Sequence, residues 1–292
     1  MVESGDCHLA ARRIKDRACY SFSHMTKQEP IRSRANALYR QVHALKTRNR
    51  ADGLMLLEGI KLIEEALAAG IALVHALISP RLERSQRGRA LLDALAGRGV
   101  EPRLLDDALL SSISQVETSQ GALALARRPA FTEADLYRGR PLILVVTAVQ
   151  DPGNVGALLR AAEGAGATGA YLAASSADPY SWKALRGGMG SAFRLPCVRM
   201  AGAEQILTHL RSRQVVSVAA VASGGLPYDR VDMRRPLALW LGNEGAGLPD
   251  ALVGQLDERV TVPLAPPVES LNVAVAGGLL LFEADRQRRA GG

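Results

Sequence analysis

The sequence predicts an α/β protein of two domains, a smaller N-terminal α/β unit followed by a unit built on a mostly parallel sheet. Three observations carry this. At 292 residues, the chain holds about two domains of the usual ~100–200 residues. Hydrophobic residues make up 48% and charged residues 22%, a balance that supports packed cores and argues against disorder as the main state. Short apolar, β-branched runs alternate with stretches of helical period through the second half, as in a parallel sheet with helices on both sides. Aromatics are only 4%, so the cores must be built from Ala, Val, Leu and Ile.

Residues 1–30 mix charged and polar side chains without periodicity and are expected to form a disordered tail. From Arg32 to Arg50 basic residues dominate, and Leu38, Val42 and Leu45 sit at helical spacing, which predicts an amphipathic helix with a basic face. A solvated helix and an RNA-contacting arm both fit it. Strands are expected at Leu54–Leu57, Leu73–Ile78, Val100–Leu105 and Gly121–Ala126, with helices at Ile60–Ala69, stopped by Gly70, and at Arg89–Leu95. The first domain therefore spans 31–127. Residues 128–140, polar and holding Pro129 and Gly139, are expected to be a linker.

The second domain, 141–292, opens with Leu142–Thr147, a continuous apolar run expected of a strand buried on both faces. Further strands are expected at Ala170–Ala173, Val215–Val221, Leu237–Leu241 and Val260–Val262, and a last helix from Leu271 to Arg289.

The net charge of +7 favours phosphate-bearing partners, nucleic acid or an anionic membrane surface. No run approaches the ~18 apolar residues of a membrane span. The longest candidate, Leu271–Ala284, is interrupted by Asn272, two glycines and Glu283. No apolar leader segment marks the N-terminal region. Cys7, Cys19 and Cys197 form no close pair, which fits a reducing cytoplasm. The irregular spacing of Cys7, His8, Cys19 and His24 does not suit a zinc site, and no metal is expected.

Three segments of the second domain carry chemistry. In Val149–Arg160 the buried strand runs into Asp151, a good helix N-cap, and Pro152, suited to the first helical position. A capped turn explains those two but leaves Asn154 and Arg160, which lie nearly two helical turns apart and are expected on one side of the helix. In Leu239–Pro249 a strand enters a glycine-rich loop holding Asn243 and Glu244, where a ligand can approach free backbone N–H groups. In Val262–Ala276 a proline-stiffened loop leads to Ser270, the expected cap of the last helix, and to Asn272, a polar residue in an apolar turn that needs a partner. Nearby, Gly164–Gly169 matches G-x-G-x-x-G but follows a helix and precedes a strand. That reverses the dinucleotide-binding context, so an NAD site and an oxidoreductase are rejected.

In this order, the three segments resemble the three motifs of the SpoU/TrmH family of RNA ribose 2′-O-methyltransferases, within the SPOUT superfamily. Lys183–Pro196 resembles the family's central segment, and the match covers about 142–285. Leu57-Glu58-Gly59 and the strand near Ile78 resemble, less specifically, its substrate-binding domain, which looks like small ribosomal RNA-binding proteins. The resemblance implies a C-terminal trefoil knot and S-adenosyl-L-methionine as cofactor, held by backbone groups around Leu241, Gly242, Val262 and Leu271. It also implies a homodimer through the catalytic domain, with each active site near the subunit interface. Arg160 would stabilise a developing alkoxide and Asn154 would orient the ribose or Arg160. Glu244, Ser270 and Asn272 would shape the loops and contact substrate or cofactor. Structured RNA is the implied substrate, and the separate N-terminal domain favours 23S rRNA over tRNA. A tRNA enzyme, an antibiotic-resistance enzyme and a non-catalytic RNA-binding shell remain alternatives.

Overall fold

The computed structural model describes residues 29–47, 53–116 and 119–291. Contacts divide the chain into two units, Met1–Arg128 and Pro129–Gly292. The tail through residue 28, with Cys7, His8, Cys19 and His24, lies outside the described residues.

The first unit runs α1 (Ala37–Thr47), β1 (Leu54–Glu58), α2 (Ile60–Ala68), β2 (Leu73–Ile78), α3 (Gln86–Gly97), β3 (Pro102–Leu104), α4 (Asp107–Ile113) and β4 (Ala122–Arg127). The sheet order is β1-β4-β2-β3. β4 is antiparallel to both neighbours, and β2 and β3 are parallel. α1 and α4 cover one face, where Tyr39, Val42, Leu110 and Ile113 pack on Leu56, Leu77, Leu123 and Leu125. The basic helix is shorter than expected. Asn36 caps it by accepting from the Leu38 and Tyr39 N–H groups at 2.9 and 3.3 Å, so Arg32 and Arg34 precede it. Arg48 and Arg50 fall outside the described residues.

The second unit begins where a linker was expected. A 3₁₀ turn at Glu133–Tyr137 buries Leu136, and the Tyr137 hydroxyl lies 2.9 Å from that of Tyr171. The stretch is therefore packed into this unit. One apolar residue and one aromatic in a polar segment are enough to dock it.

The elements that follow are β5 (Leu142–Val146), α5 (Pro152–Gly164), β6 (Gly169–Ala173), α6 (Trp182–Gly188), β7 (Cys197–Met200), α7 (Ala203–Ser212), β8 (Val216–Ala220), β9 (Leu226–Pro227), β10 (Leu237–Leu241), α8 (Asp250–Val253), β11 (Glu258–Thr261) and α9 (Val273–Ala290). The sheet order is β7-β6-β5-β10-β8-β11-β9, with every pair parallel. All residues of β5, β6 and β10 are buried, as expected for a parallel sheet covered on both faces. Ile143, Val145, Tyr171 and Trp240 share a face with Ile206, Leu207 and Leu210 of α7. The alternate positions look the other way, toward α5 and α9. There a Cβ on Gly277 would come within 2.4 Å of Leu158 and 2.6 Å of Leu241.

Two locks fix the helices on that side. α5 and α6 meet through small residues. A Cβ on Gly156 would fall 2.2 Å from the Ala184 carbonyl oxygen and 2.8 Å from the Gly188 nitrogen. At the far end of α9, Arg288 donates to the carbonyls of Met233, Arg140, Pro141 and Arg235 at 2.7–3.0 Å. Burial lowers its pKa to about 10. Among the described residues, no helix is long and apolar enough to cross a membrane.

Candidate active site

A parallel sheet delivers its connecting loops to one edge, the carboxyl ends of the strands, where ligands bind in folds of this kind. β5 and β10 are neighbours, so the loops after Val146 and Leu241 start side by side. β8 and β11 bring two more loops to the same edge.

The β5–α5 loop enters the helix as the sequence predicts. Asp151 caps α5 by accepting from the Gly153 N–H at 2.7 Å, with Pro152 at the first position. The β10 loop closes on itself through two backbone bonds between Asn243 and Gly247, at 3.0 and 2.9 Å. Asn243 also accepts from the Gly245 and Ala246 N–H groups and donates to the Ala148 carbonyl at 3.0 Å. Gly242 is required here, because a Cβ would lie 2.2–2.4 Å from the backbone of Gly247 and Leu248.

Glu244 reaches from this loop to the next. Its carboxylate accepts from the Gln150 N–H at 3.2 Å, the Asp151 N–H at 3.1 Å and the Asn154 amide at 3.1 Å. Burial pushes the Glu244 carboxyl up. The backbone donors at Asp151 and Glu244 itself, the Asn154 amide and the Gln150 N–H outweigh it and hold the group below its usual range. Asn154 in turn accepts from the Asn272 amide at 3.1 Å. Asn272, and not Ser270, is the cap of α9: its side chain accepts from the Ala274 and Val275 N–H groups at 2.9 and 3.3 Å. The helix starts two residues later than expected, and the partner that Asn272 needed is Asn154. Glu244, Asn154 and Asn272 thus join all three motif segments across 90 and 118 positions of sequence.

A cavity of about 160 Å³ lies against this network. It is lined by Leu241, Gly242, Glu244, Val262, Ser270 and Leu271, all singled out from sequence, and also by Val221 at the end of β8, Leu264 and Leu280. These last residues had no signal in the sequence beyond being apolar, Val221 and Leu264 after strands and Leu280 within the last helix. Asn243, which folds the β10 loop, was visible as a polar residue before a glycine turn but had no role assigned.

The backbone N–H and C=O groups of Gly242, Val262 and Leu271 make no hydrogen bond among the described residues. Gly242 is buried. Orphan backbone groups in an apolar cavity call for a ligand that supplies donors and acceptors. An adenosine with a methionine tail has that chemistry, so the residues present fit S-adenosylmethionine.

Arg160 stands apart. It is exposed, forms no hydrogen bond or ion pair among the described residues, and does not line the cavity. The expectation that one side of α5 presents both Asn154 and Arg160 is not met. At 3.6 residues per turn, six positions leave two side chains about 120° apart around the axis. On the other flank of α5, Lys183 of α6 pairs with Asp151 at 2.8 Å and, with the Gly153 N–H, holds that carboxyl below its usual range.

Residues 141–282 match the SpoU rRNA Methylase family, and residues 36–124 match the MRM3-like substrate binding domain. An uncharacterized tRNA/rRNA methyltransferase of Synechocystis is 33% identical over 86% of this chain and 90% of its own. The Bacillus subtilis 23S rRNA (guanosine(2553)-2′-O)-methyltransferase RlmP is 31% identical over 84% of this chain and 93% of its own. The crystal structure of an AdoMet-bound rRNA methyltransferase from Sinorhizobium meliloti superposes with a TM-score of 0.77 at 29% identity, covering 88% of this chain and 97% of that one. With the motif segments joined around one cavity and relatives matched over most of their length, this chain belongs to the SpoU rRNA methylase family.

Proposed function

We propose that this chain transfers the methyl group of S-adenosylmethionine to a ribose 2′-hydroxyl of structured RNA, with 23S rRNA as the substrate. The observation that carries this is the Glu244–Asn154–Asn272 network closing three loops around a cavity with orphan backbone groups. The Bacillus relative, named for 2′-O-methylation of 23S rRNA, and the AdoMet-bound neighbour support it.

The cofactor supplies a methyl on a sulfonium, already a good leaving group. The protein aligns and stabilises. Backbone groups of Gly242, Val262 and Leu271 hold the adenine and methionine parts, and Leu241 forms an apolar wall. Ser270, exposed at the cavity, contacts cofactor or ribose. Asn154, fixed on two sides, presents a rigid face to the ribose. Orientation of this kind supplies up to roughly 7–11 kcal/mol of a barrier. Arg160, an arginine that stays charged, stabilises the developing alkoxide and grips a neighbouring phosphate, while the hydroxyl proton passes to solvent water as the oxygen takes the methyl and the thioether leaves.

The position of Arg160 outside the cavity fits an active site near the interface of a homodimer. Val275, Leu279 and Phe282 form an exposed apolar stripe at helical spacing on α9. Phe282 lies beside α5, 3.4 Å from where a Cβ on Gly164 would sit. A second copy packed on this stripe comes close to Arg160. The trefoil knot belongs to the same reading. β10 and β11 are separated by β8, and α9 crosses back to pack on α5. Residues 31–127 serve as the RNA-binding domain and 141–292 as the catalytic domain, working in the cytoplasm.

The test is transfer of labelled methyl from S-adenosylmethionine to unmodified 23S rRNA and to tRNA, with nucleoside analysis of the product. A 2′-O-methylnucleoside from 23S rRNA is expected. A base-methylated product, or no transfer despite cofactor binding by calorimetry, overturns the reading.

A further inference from the structure

The methyl-transfer site leaves one surface feature unused. Trp182 opens α6, and Arg186, one turn on, lays its guanidinium over the indole 5.5 Å from the ring centroid. The sequence has two tryptophans. Trp240 is fully buried in the sheet core, whereas Trp182 is half-buried and Arg186 is exposed.

The pair's place in the fold gives it meaning. α6 follows β6 and so starts at the carboxyl edge of the sheet, the edge that carries the cavity. Lys183, next to Trp182, bonds Asp151, and the N–H of Asp151 bonds the cavity residue Glu244. The Lys183 side chain also lies 3.4 Å from where a Cβ on Gly153 would sit. The first turn of α6 is therefore held against the first turn of α5, whose Asn154 donates to the cavity residue Glu244.

We infer that the Trp182–Arg186 pair is a stacking platform for a nucleobase of the RNA adjoining the methylated ribose. This rests on the proposed function and assigns it a positioning contact. Unpaired bases stack on indole faces and on guanidinium planes, and this pair offers both, with a positive charge for the flanking phosphate. Stacking tolerates any base, so the platform holds the strand in place and leaves base identity to other contacts.

Steady-state methylation of unmodified 23S rRNA tests it. Trp182→Ala is expected to raise KM for RNA about tenfold, the size of one stacking contact, with kcat within about twofold and cofactor affinity unchanged. Arg186→Ala is expected to raise KM less, and Trp182→Phe to restore most of the loss. An unchanged KM in both alanine variants overturns the platform. So does a Trp182→Phe variant as impaired as Trp182→Ala with a lowered Tm, which marks a purely structural role. A Trp240→Phe background, where Trp182 is the remaining tryptophan, separates this inference from the methyl-transfer reading. Saturable quenching by the same RNA without methyl transfer keeps the platform and sinks the enzyme, whereas transfer without quenching does the reverse.

Discussion

Asn154 and Arg160 belong to one helix, yet their surroundings differ in kind. Asn154, in the first turn of α5, donates to Glu244 and accepts from Asn272, so its amide is fixed on both sides. Arg160, further along, is exposed and has no bonding partner among the described residues. Buried or half-buried polar groups are costly unless paired, and a rigid cofactor pocket needs its walls paired before the ligand arrives. A group that stabilises charge appearing only during reaction gains by staying unpaired, since any resident carboxylate would have to be displaced. On the proposed reading, the bonded first turn of α5 builds the site, and Arg160 is kept for substrate while Glu163 beyond it is paired with Arg194.

The strongest way to break this division is Arg160→Ala. Loss of about 10²–10³ in kcat is expected, the usual cost of removing one transition-state charge donor. The fold and cofactor affinity should be unchanged, because Arg160 supports neither. Single-turnover methylation and calorimetry together check it. A variant that loses cofactor binding along with activity would place Arg160 among the structural groups.

Gly156→Ala attacks the scaffold beneath both residues. The added methyl meets the Ala184 carbonyl and the Gly188 nitrogen, both backbone, so neither can swing aside. Destabilisation of at least about 1–3 kcal/mol is expected, read as a lower denaturation midpoint. By contrast, Gly277→Ala meets the ends of the Leu158 and Leu241 side chains, which can move, and should cost less.

Asn272 allows the cap and the network to be separated. Asn272→Ala loses both and should cost about 1 kcal/mol through the cap alone. Asn272→Asp keeps a good N-cap but has no N–H to give Asn154. It opposes two acceptors at Asn154 but keeps the cap, so it should lose methyl transfer and cofactor affinity without the loss of the helix cap. Equal activity in the Asp variant would reduce Asn272 to a helix cap.

How much of this was legible in the sequence follows from what each feature depends on. β10 was read at its observed bounds because five apolar residues between turns describe a buried strand without outside information. β7 was missed. It is a four-residue edge strand with an exposed arginine at its third position, and its pairing with β6 is a tertiary fact. α4, seven residues long, is too short to show a period, and its burial against α1 makes it a helix. At the site, residue types were legible but their division of labour was not. Ser270 and Asn272 are equally good caps two positions apart, and the one that caps is the one that also bonds Asn154, 118 residues upstream. The separation of Asn154 from Arg160 was available from helix geometry alone.

The subtlest effect is on pH. Glu244 accepts three hydrogen bonds from the α5 entry, and its folded pKa lies below the ordinary value of about 4.3. Asp151, bonded to Lys183 and the Gly153 N–H, is also depressed. A depressed carboxyl adds stability that is fully present above its unfolded pKa and is lost as pH falls through the folded one. Both groups are largely solvent-facing, so screening keeps each contribution small. Glu244→Gln keeps the shape but not the charge, and one of its two terminal groups then sets a donor against a donor. Its Tm should lie below wild-type at pH 7, and the gap should close as the pH falls through the depressed folded pKa of Glu244, below the ordinary carboxylate range. A gap that persists unchanged along the whole acid limb of the wild-type stability curve would mean that Glu244 holds the loops by packing, and the fixed end of α5 would then owe its order to Asn243 and Asn272 instead.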